Sequence, residues 1–313
     1  MEVKNKGFDY DLGVIGAGPA GLSAAIYAAR GGLSVVCFER EVHGGQIINS
    51  PEVENYPALG KVSGADFANA LYEQATGFGA EVVYEEILSA ELTGEVKLLR
   101  TAAREYRVRA VVLAGGVTRR KLGCPGEERL LGRGVSYCAT CDGAFFAGRT
   151  VAVVGGGNTA VEDALYLAAR CEKVYLIHRR QGFRASEAEL AKLRANPRVE
   201  FLLDAQVAEI RGENQVESIL LRSTAGAPDR VIPVAAVFVA VGLIPNNEMF
   251  RGQLPLTAQG YLTADENCRT ALPRVYAAGD TREKALRQLV TAAADGALAG
   301  SSAVADLAGE ATL

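Results

Sequence analysis

The sequence contains only two histidines, His43 and His178, among its 313 residues. This scarcity excludes metal sites built from several histidines and leaves few candidates for Ser/His or Cys/His catalysis. The formal net charge is −4, so the chain lacks the basic surplus that binds nucleic acid. We therefore expect no metal centre and no nucleic-acid partner.

Long apolar runs are also missing. The longest, residues 231–244, contains Pro233 and Gly242 and is too short to cross a bilayer. The first residues, MEVKNKGFDYDLGVIG, lack the apolar core and cleavage site of a signal peptide. We expect a soluble, cytoplasmic protein without a membrane partner. In that reducing compartment, the six cysteines are not expected to form a disulfide framework.

Two stretches of the chain repeat one design, in which an apolar strand, a glycine-rich turn, a helix and a second strand follow one another. One stretch lies near the N-terminus and the other near the middle of the sequence. The spacing from Gly16 to Glu39 equals the spacing from Gly155 to His178, so the two units share one register. This order is typical of dinucleotide-binding folds. We predict an α/β chain with two Rossmann-like domains.

The apolar strands that end in glycine suggest where the chain passes from one domain to the other. We place these crossings near residues 117–123 and 243–249. The first domain then comprises residues 1–118 and 247–313, and the second domain, residues 119–246, is inserted into it. A long helix is predicted near the C-terminus, with an apolar face formed by Leu286, Leu289, Val290, Ala293 and Ala297.

The first glycine turn, GAGPAG, predicts binding of an ADP group. Glycines let the backbone approach a pyrophosphate, and the helix N-terminus offers unpaired N–H groups and a positive dipole end. A carboxylate at the end of the second strand can accept hydrogen bonds from ribose hydroxyls. An ordinary glycine turn is the alternative interpretation. The residues expected at this site are Gly16, Gly18, Pro19, Ala20 and Glu39.

The second unit carries arginines where the first carries a carboxylate. A carboxylate would repel a 2′-phosphate, whereas arginines bind it through charge-assisted hydrogen bonds. The second site is therefore predicted to bind NADPH, although the arginines could instead form a solvated charged edge. The residues expected here are Gly155, Gly157, Asn158, Thr159, His178, Arg179, Arg180 and Arg184.

A flavin is the usual acceptor of hydride from a nicotinamide, so the first site is predicted to bind FAD. The motif AAGD, followed by the terminal helix, supports this prediction. Asp280, after Gly279, can bond a ribityl hydroxyl. The helix N-terminus near Arg287 and Gln288 would offset the negative charge of a reduced flavin.

Cys138 and Cys141 are the only closely spaced cysteines in the sequence. A zinc site would need two further ligands, and a static disulfide does not suit the cytoplasm, although both remain alternatives. A Cys-x-x-Cys pair beside the NADPH unit favours a redox-active pair that cycles between dithiol and disulfide. Asp142 is the nearest candidate for the general acid that protonates a leaving thiolate, with a simple turn residue as the alternative.

These motifs resemble, essentially end to end, the low-molecular-weight thioredoxin reductases of bacteria. The matching stretches are GAGPAGLSAAIYAAR, GGQI, VENYP, CATCDGAFF, GGGNTAVEDAL, HRRQGFRAS, AAGD and RQLVTAAADGA. Within GGQI and VENYP, the resemblance adds Gly45, Gln46 and Asn55 to the FAD site. It implies a homodimer in which NADPH reduces FAD, FAD reduces a Cys138–Cys141 disulfide, and the dithiol reduces thioredoxin. By the same resemblance, Cys141 lies against the flavin and Cys138 attacks the partner.

Two positions depart from the family pattern. Ala114-Gly115-Gly116 stands where the family usually has Ala-Thr-Gly, and Cys124 stands where it usually has an aliphatic residue. Three other functions stay open: a flavin-dependent dithiol oxidase, a ferredoxin-dependent relative, and a flavin-binding redox sensor without turnover. The arginines at the second site argue against the first two, because neither function needs NADPH.

Overall fold

The computed structural model describes residues 7–50 and 52–308. The chain divides into two compact units, each with its own core. The first unit holds Met1–Thr118 and Ile244–Leu313, and the second holds Arg119–Leu243.

The strands of the first unit are β1 Tyr10–Ile15, β2 Val35–Phe38, β3 Glu81–Val83, β4 Ser89–Glu91, β5 Lys97–Arg100, β6 Glu105–Leu113 and β17 Val275–Ala277. They form a seven-stranded sheet with the order β3-β2-β1-β6-β5-β4, and β17 also pairs with β6. Strands β1, β2, β3, β6 and β17 are mutually parallel, while β5 runs antiparallel to both β4 and β6. The helices are α1 Pro19–Arg30, α2 Gly64–Gly77 and α6 Leu289–Ala308.

The strands of the second unit are β8 Val135–Ser136, β9 Thr150–Val154, β10 Lys173–His178, β11 Val199–Leu203, β12 Ala205–Arg211, β13 Ser218–Ser223, β14 Arg230–Pro233 and β15 Ala236–Val239. They form a five-stranded parallel sheet with the order β11-β10-β9-β15-β8, and a separate antiparallel sheet of β12, β13 and β14. Its helices are α3 Ala139–Asp142, α4 Asn158–Ala168 and α5 Glu187–Arg194. Where the chain passes between the units, β7 Val117–Arg119 and β16 Leu243–Pro245 form a two-stranded sheet.

The two predicted βαβ units are present in the same register. The N–H of Gly16 donates to the carbonyl of Phe38 at 2.8 Å, and the N–H of Gly155 donates to the carbonyl of Ile177 at 3.0 Å. Each glycine turn is thus bonded to the end of the following strand at an equivalent point. The prediction of an α/β chain with two Rossmann-like domains is confirmed.

The terminal helix α6 packs through small residues rather than through the predicted apolar face. Leu286 lies before the helix and is 54% exposed, so the prediction for this residue is wrong. A Cβ atom at Gly296 would lie 2.1 Å from the carbonyl oxygen of Ala20, and one at Gly300 would lie 2.5 Å from that of Ala24. Helices α1 and α6 therefore approach too closely for larger side chains. The buried residues of α6 are Gly296, Ala299, Gly300, Ser302, Ala303 and Leu307.

Gly300→Ala is expected to lower the free energy of unfolding by about 1–3 kcal/mol, because the added methyl group forces α1 and α6 apart. Gly77→Ala is the matched control, since a Cβ atom at Gly77 would meet nothing within 4 Å at the end of α2. Urea unfolding followed by circular dichroism compares both variants with the wild type. Equal stability of Gly300→Ala and the wild type would show that the close helix contact is not required.

Candidate active site

Two glycine-containing loops, one with Gly16 and Gly18 and the other with Gly45, meet at the N-terminus of α1. Gly16 has φ +105°, and a Cβ atom there would lie 2.4 Å from the carbonyl oxygen of Ala114. Gly18 precedes the helix without a side-chain cap, and the first turn contains no acidic residue. A Cβ atom at Gly45 would lie 3.3 Å from the Cα atom of Gly18. The loops form a cradle of bare backbone whose N–H groups can bind a phosphate.

Glu39 follows β2 and lies at the edge of this cradle. Its Oε2 atom accepts a hydrogen bond from the N–H of Ala17 at 3.1 Å. Its Oε1 atom accepts bonds from the N–H groups of Arg40 at 2.9 Å and Glu41 at 3.2 Å. The carboxylate is thus fixed beside the glycine turn, where the sequence predicts a ribose.

The segment after β17 closes against the same helix terminus. Gly279 has φ +78°, and a Cβ atom there would lie 2.7 Å from the Cβ atom of Ala20. The N–H of Gly279 donates to Oδ2 of Asp295 at 3.0 Å. Asp280 lies in the same short turn, Gly279–Thr281. The AAGD motif and the first glycine turn are therefore brought together.

The remaining residues predicted for FAD lie in the same unit. The side-chain amide of Asn55 donates to Oε1 of Gln288 at 3.2 Å, just before α6 begins. The Arg287 guanidinium lies 4.2 Å from the ring centre of Tyr261. Within the described part of the chain, the buried Nε atom of Arg287 has no hydrogen-bond partner. Separately, Gln46 Nε2 donates to the carbonyl of Val117 at 2.6 Å.

These residues fit FAD in their chemistry. A bare helix N-terminus suits a diphosphate, a fixed carboxylate suits a ribose, and a buried guanidinium donor suits a polar ligand group. The roles of the individual residues stay predictions.

The second unit contains an equivalent cradle at the N-terminus of α4. A Cβ atom at Gly155 would lie 2.3 Å from the carbonyl oxygen of Ala240. Gly157 precedes α4 without a side-chain cap, and the first turn, which includes Thr159, carries no acidic residue. The Oδ1 atom of Asn158 accepts a hydrogen bond from the N–H of Ser186 at 3.1 Å. This bond ties the segment after β10 to the start of the helix.

The arginines predicted to bind the 2′-phosphate lie on that segment and are exposed. The N–H of Arg184 donates to the carbonyl of Gly156 at 2.7 Å, which holds the segment beside the cradle. Among residues 7–50 and 52–308, no carboxylate forms an ion pair with Arg179, Arg180 or Arg184. Burial lowers the pKa of His178, and the three arginines lower it further. The arginines, rather than the histidine, therefore supply the positive charge here.

Cys138 and Cys141 form a disulfide, with their Cα atoms 5.3 Å apart. Cys138 precedes the short helix α3, and the N–H of Asp142 donates to the carbonyl of Cys138 at 3.1 Å. This bond closes the turn and holds the backbone of Asp142 to that of Cys138. No group of three or more His, Cys, Asp and Glu in the described ranges could hold a metal ion.

Asp142 is partly buried, and within the described ranges only one of its two carboxyl oxygens has a hydrogen-bond partner. Its Oδ2 atom accepts a hydrogen bond from the hydroxyl of Ser136 at 2.6 Å. Its Oδ1 atom is buried and has no hydrogen-bond partner among the described residues. Burial raises the pKa of Asp142, while the Ser136 bond and the charge of Arg119 lower it in part. A raised pKa favours the protonated form, which a proton donor needs.

Ser136 is a residue that the sequence analysis missed. It ends β8, two positions before the cysteine pair, and nothing in its local pattern separates it from an ordinary strand residue. Only the fold turns its hydroxyl toward Asp142.

The structure accommodates the two positions that depart from the family pattern, Cys124 and the segment Ala114-Gly115-Gly116. Cys124 is a half-buried free thiol, and burial, followed by the nearby Glu127, raises its pKa to about 11. Such a thiol is a poor nucleophile at neutral pH. At the other departure, Asn246 Nδ2 donates to the carbonyl of Gly115 at 2.8 Å, so the loop is held without a threonine hydroxyl.

Comparison with known proteins agrees with this site. Residues 10–296 match the family model "Pyridine nucleotide-disulphide oxidoreductase". The thioredoxin reductase of Listeria innocua is 44% identical over 94% of this chain and 92% of its own length, and that of Peptoclostridium acidaminophilum is 42% identical over 94% and 96%. The crystal structure of thioredoxin reductase from Streptococcus pyogenes has a TM-score of 0.91 at 39% identity, covering 96% of this chain and 98% of that one.

None of the helices in the described ranges is long and apolar enough to cross a membrane.

The family match, the relatives and the redox disulfide agree on one assignment. The chain belongs to the pyridine nucleotide-disulphide oxidoreductases and, within that family, to the bacterial-type thioredoxin reductases.

Proposed function

We propose that this enzyme uses NADPH to reduce the disulfide of thioredoxin or a thioredoxin-like protein. The observation that carries the proposal is the Cys138–Cys141 disulfide, which directly precedes Asp142 in the chain. It lies in the unit whose dinucleotide cradle carries three arginines that form no ion pair within the described ranges. A redox pair with its own proton donor suits thiol–disulfide exchange with a protein partner.

FAD, the flavin cofactor of this family, would supply two-electron transfer from NADPH to a disulfide. Its pyrophosphate would lie at the N-terminus of α1, where Gly16, Gly18 and Gly45 leave room for it. Glu39 would accept hydrogen bonds from the ribose, and Asp280 and the start of α6 would bind the rest of the cofactor.

The exchange with thioredoxin is carried by the cysteine pair. The Cys138 thiolate attacks one sulfur of the thioredoxin disulfide, forms a mixed disulfide and releases a thioredoxin thiolate. The Cys141 thiolate then attacks the Cys138 sulfur, which restores the enzyme disulfide and releases the second thioredoxin thiolate. Asp142 moves protons from the attacking thiols to the leaving sulfurs, directly or through a water.

Anaerobic thiol counting separates this function from the alternatives. NADPH should raise the thiols of the denatured chain from the four free cysteines to all six. A dithiol oxidase or a ferredoxin-dependent enzyme would gain none from NADPH. A redox sensor would gain them once but would not turn over. A gain of thiols on addition of NADPH, followed by repeated turnover, is the result that supports a reductase.

We also propose that the enzyme works as a homodimer in the cytoplasm. The supports are the resemblance to a dimeric family and the four cysteines that remain free thiols, which suits a reducing compartment.

Arg179→Ala is expected to weaken NADPH binding by about 10- to 150-fold, because a hydrogen bond to a charged group contributes about 1.5–3 kcal/mol. NADH has no 2′-phosphate, so its binding should hardly change. Arg194→Ala, on an exposed turn of α5, is the matched control. Steady-state KM values for both cofactors give the measurement. An equal loss for NADPH and NADH would contradict a discriminating role for Arg179.

A further inference from the structure

The Ser136 hydroxyl makes two bonds at the redox turn. It donates to Oδ2 of Asp142 at 2.6 Å and accepts a hydrogen bond from the N–H of Cys138 at 3.0 Å. Its Oγ atom also lies 3.3 Å from the carbonyl oxygen of Cys138. The residue is only 4% exposed, so solvent does not compete for these bonds. One side chain therefore joins the proton donor to the backbone of a redox cysteine.

The two oxygens of Asp142 are consequently not equivalent. Oδ2 is occupied by Ser136, whereas Oδ1 is buried and bonded to none of the residues in the described ranges. A carboxyl whose one oxygen is fixed presents the other in a defined direction. Because Ser136 also holds the Cys138 N–H, that direction is set relative to the cysteine pair.

We propose that Ser136 is a positioning residue for proton transfer, which rests on the proposed thioredoxin reduction. Ser136 holds Oδ2, so that Oδ1 is the oxygen that takes a proton from an attacking thiol and gives it to a leaving thiolate. In each exchange one S–S bond of thioredoxin breaks and the Cys138–Cys141 bond forms. Two protons pass from the enzyme thiols to the thioredoxin thiolates, so Asp142 returns to its starting protonation state.

Few other charged groups act on Asp142. Arg119, on β7, favours its ionised form. On α4, the side chains of Leu167 and Tyr166 lie 2.8 Å and 3.0 Å from the position of a Cβ atom at Gly143, the residue after Asp142. The disulfide sulfurs on its own turn carry no charge. The Ser136 bond is thus the main polar contact that a substitution can remove without changing a charge.

Ser136→Ala should lower turnover with thioredoxin by about tenfold, the effect of losing one hydrogen bond to a charged group. The lost bond stabilised the ionised carboxylate, so the pKa of Asp142 should rise and the alkaline limb of the pH profile should move to higher pH. Ser136→Thr keeps the hydroxyl and should restore both the rate and the profile. Flavin content and flavin reduction by NADPH should stay at the wild-type level in both variants, which shows that they fold.

A double-mutant cycle with Asp142→Asn gives the decisive comparison. If Ser136 acts through Asp142, adding Ser136→Ala to the Asp142→Asn variant should lower its turnover with thioredoxin by less than about twofold. The same tenfold loss in both backgrounds, or an unmoved pH profile, would overturn the proposal and make Ser136 a structural residue of the turn.

The proposal and the proposed function can fail separately. If the wild type does not reduce thioredoxin, the proposed function fails. The wild type, Ser136→Ala, Asp142→Asn and the double variant are then compared with 5,5′-dithiobis(2-nitrobenzoate) as the disulfide acceptor. Non-additivity between Ser136→Ala and Asp142→Asn with this acceptor would still support the positioning role, and additivity would overturn it.

Discussion

Replacement of Cys138 or Cys141 by serine is expected to abolish the reduction of thioredoxin, while reduction of the flavin by NADPH stays intact. Neither single thiol can form the internal disulfide that drives the second half of the exchange. The cradles at α1 and α4 contain neither cysteine, so binding of both dinucleotides should be unchanged. These two substitutions should lower thioredoxin reduction more than any of the other substitutions proposed.

Rapid-mixing absorbance of the flavin after addition of NADPH, measured beside steady-state thioredoxin reduction, checks this prediction. Cys124→Ser is the matched control, because Cys124 is a half-buried free thiol of the same unit with a raised pKa. It should keep both activities. Loss of flavin bleaching in Cys138→Ser or Cys141→Ser would mean that the pair does not act downstream of the flavin.

Asp142→Asn should lower turnover with thioredoxin by at least about tenfold, since a positioned acid–base group contributes about 10²–10⁴-fold and water can replace part of it. An amide keeps the shape and a hydrogen bond to Ser136, but it cannot move a proton. A thiolate that leaves into a partly buried site without protonation is costly. Flavin reduction by NADPH should hardly change.

The pH profile adds a second test of Asp142. Burial raises its pKa, so the carboxyl stays protonated to higher pH than an exposed one and loses its donor role as the pH rises through that value. The alkaline limb assigned to this loss should be absent in Asp142→Asn. Asp163→Asn is the matched control, because Asp163 is a partly buried carboxyl on α4 whose pKa burial raises to about 7. Turnover of Asp142→Asn within about twofold of the wild type would show that solvent supplies the proton.

The sequence predicted the two nucleotide folds because their signals are local. A glycine turn between a buried strand and an amphipathic helix depends on residues that are neighbours in the chain. The equal spacing of Gly16 with Glu39 and of Gly155 with His178 corresponds to equivalent backbone hydrogen bonds from the two glycines. The arginine segment was found in the same way, through its position after a strand.

Features that depend on long-range contacts were not predicted. The face of α6 that packs on α1 is set by how closely two backbones approach, and Gly296 and Gly300 carry no apolar side chain to mark it. Hydropathy therefore pointed to Leu286, which is exposed. Ser136 was missed for a related reason, because its role depends on a bond to Asp142 that a two-residue strand does not reveal.

The most direct test of the account is steady-state oxidation of NADPH by the purified, FAD-loaded protein, with and without oxidised thioredoxin. We expect slow oxidation without thioredoxin, a large stimulation by thioredoxin with one thioredoxin dithiol formed per NADPH consumed, and no stimulation in Cys138→Ser. NADPH oxidation that thioredoxin does not stimulate, or that continues unchanged in Cys138→Ser, would contradict it.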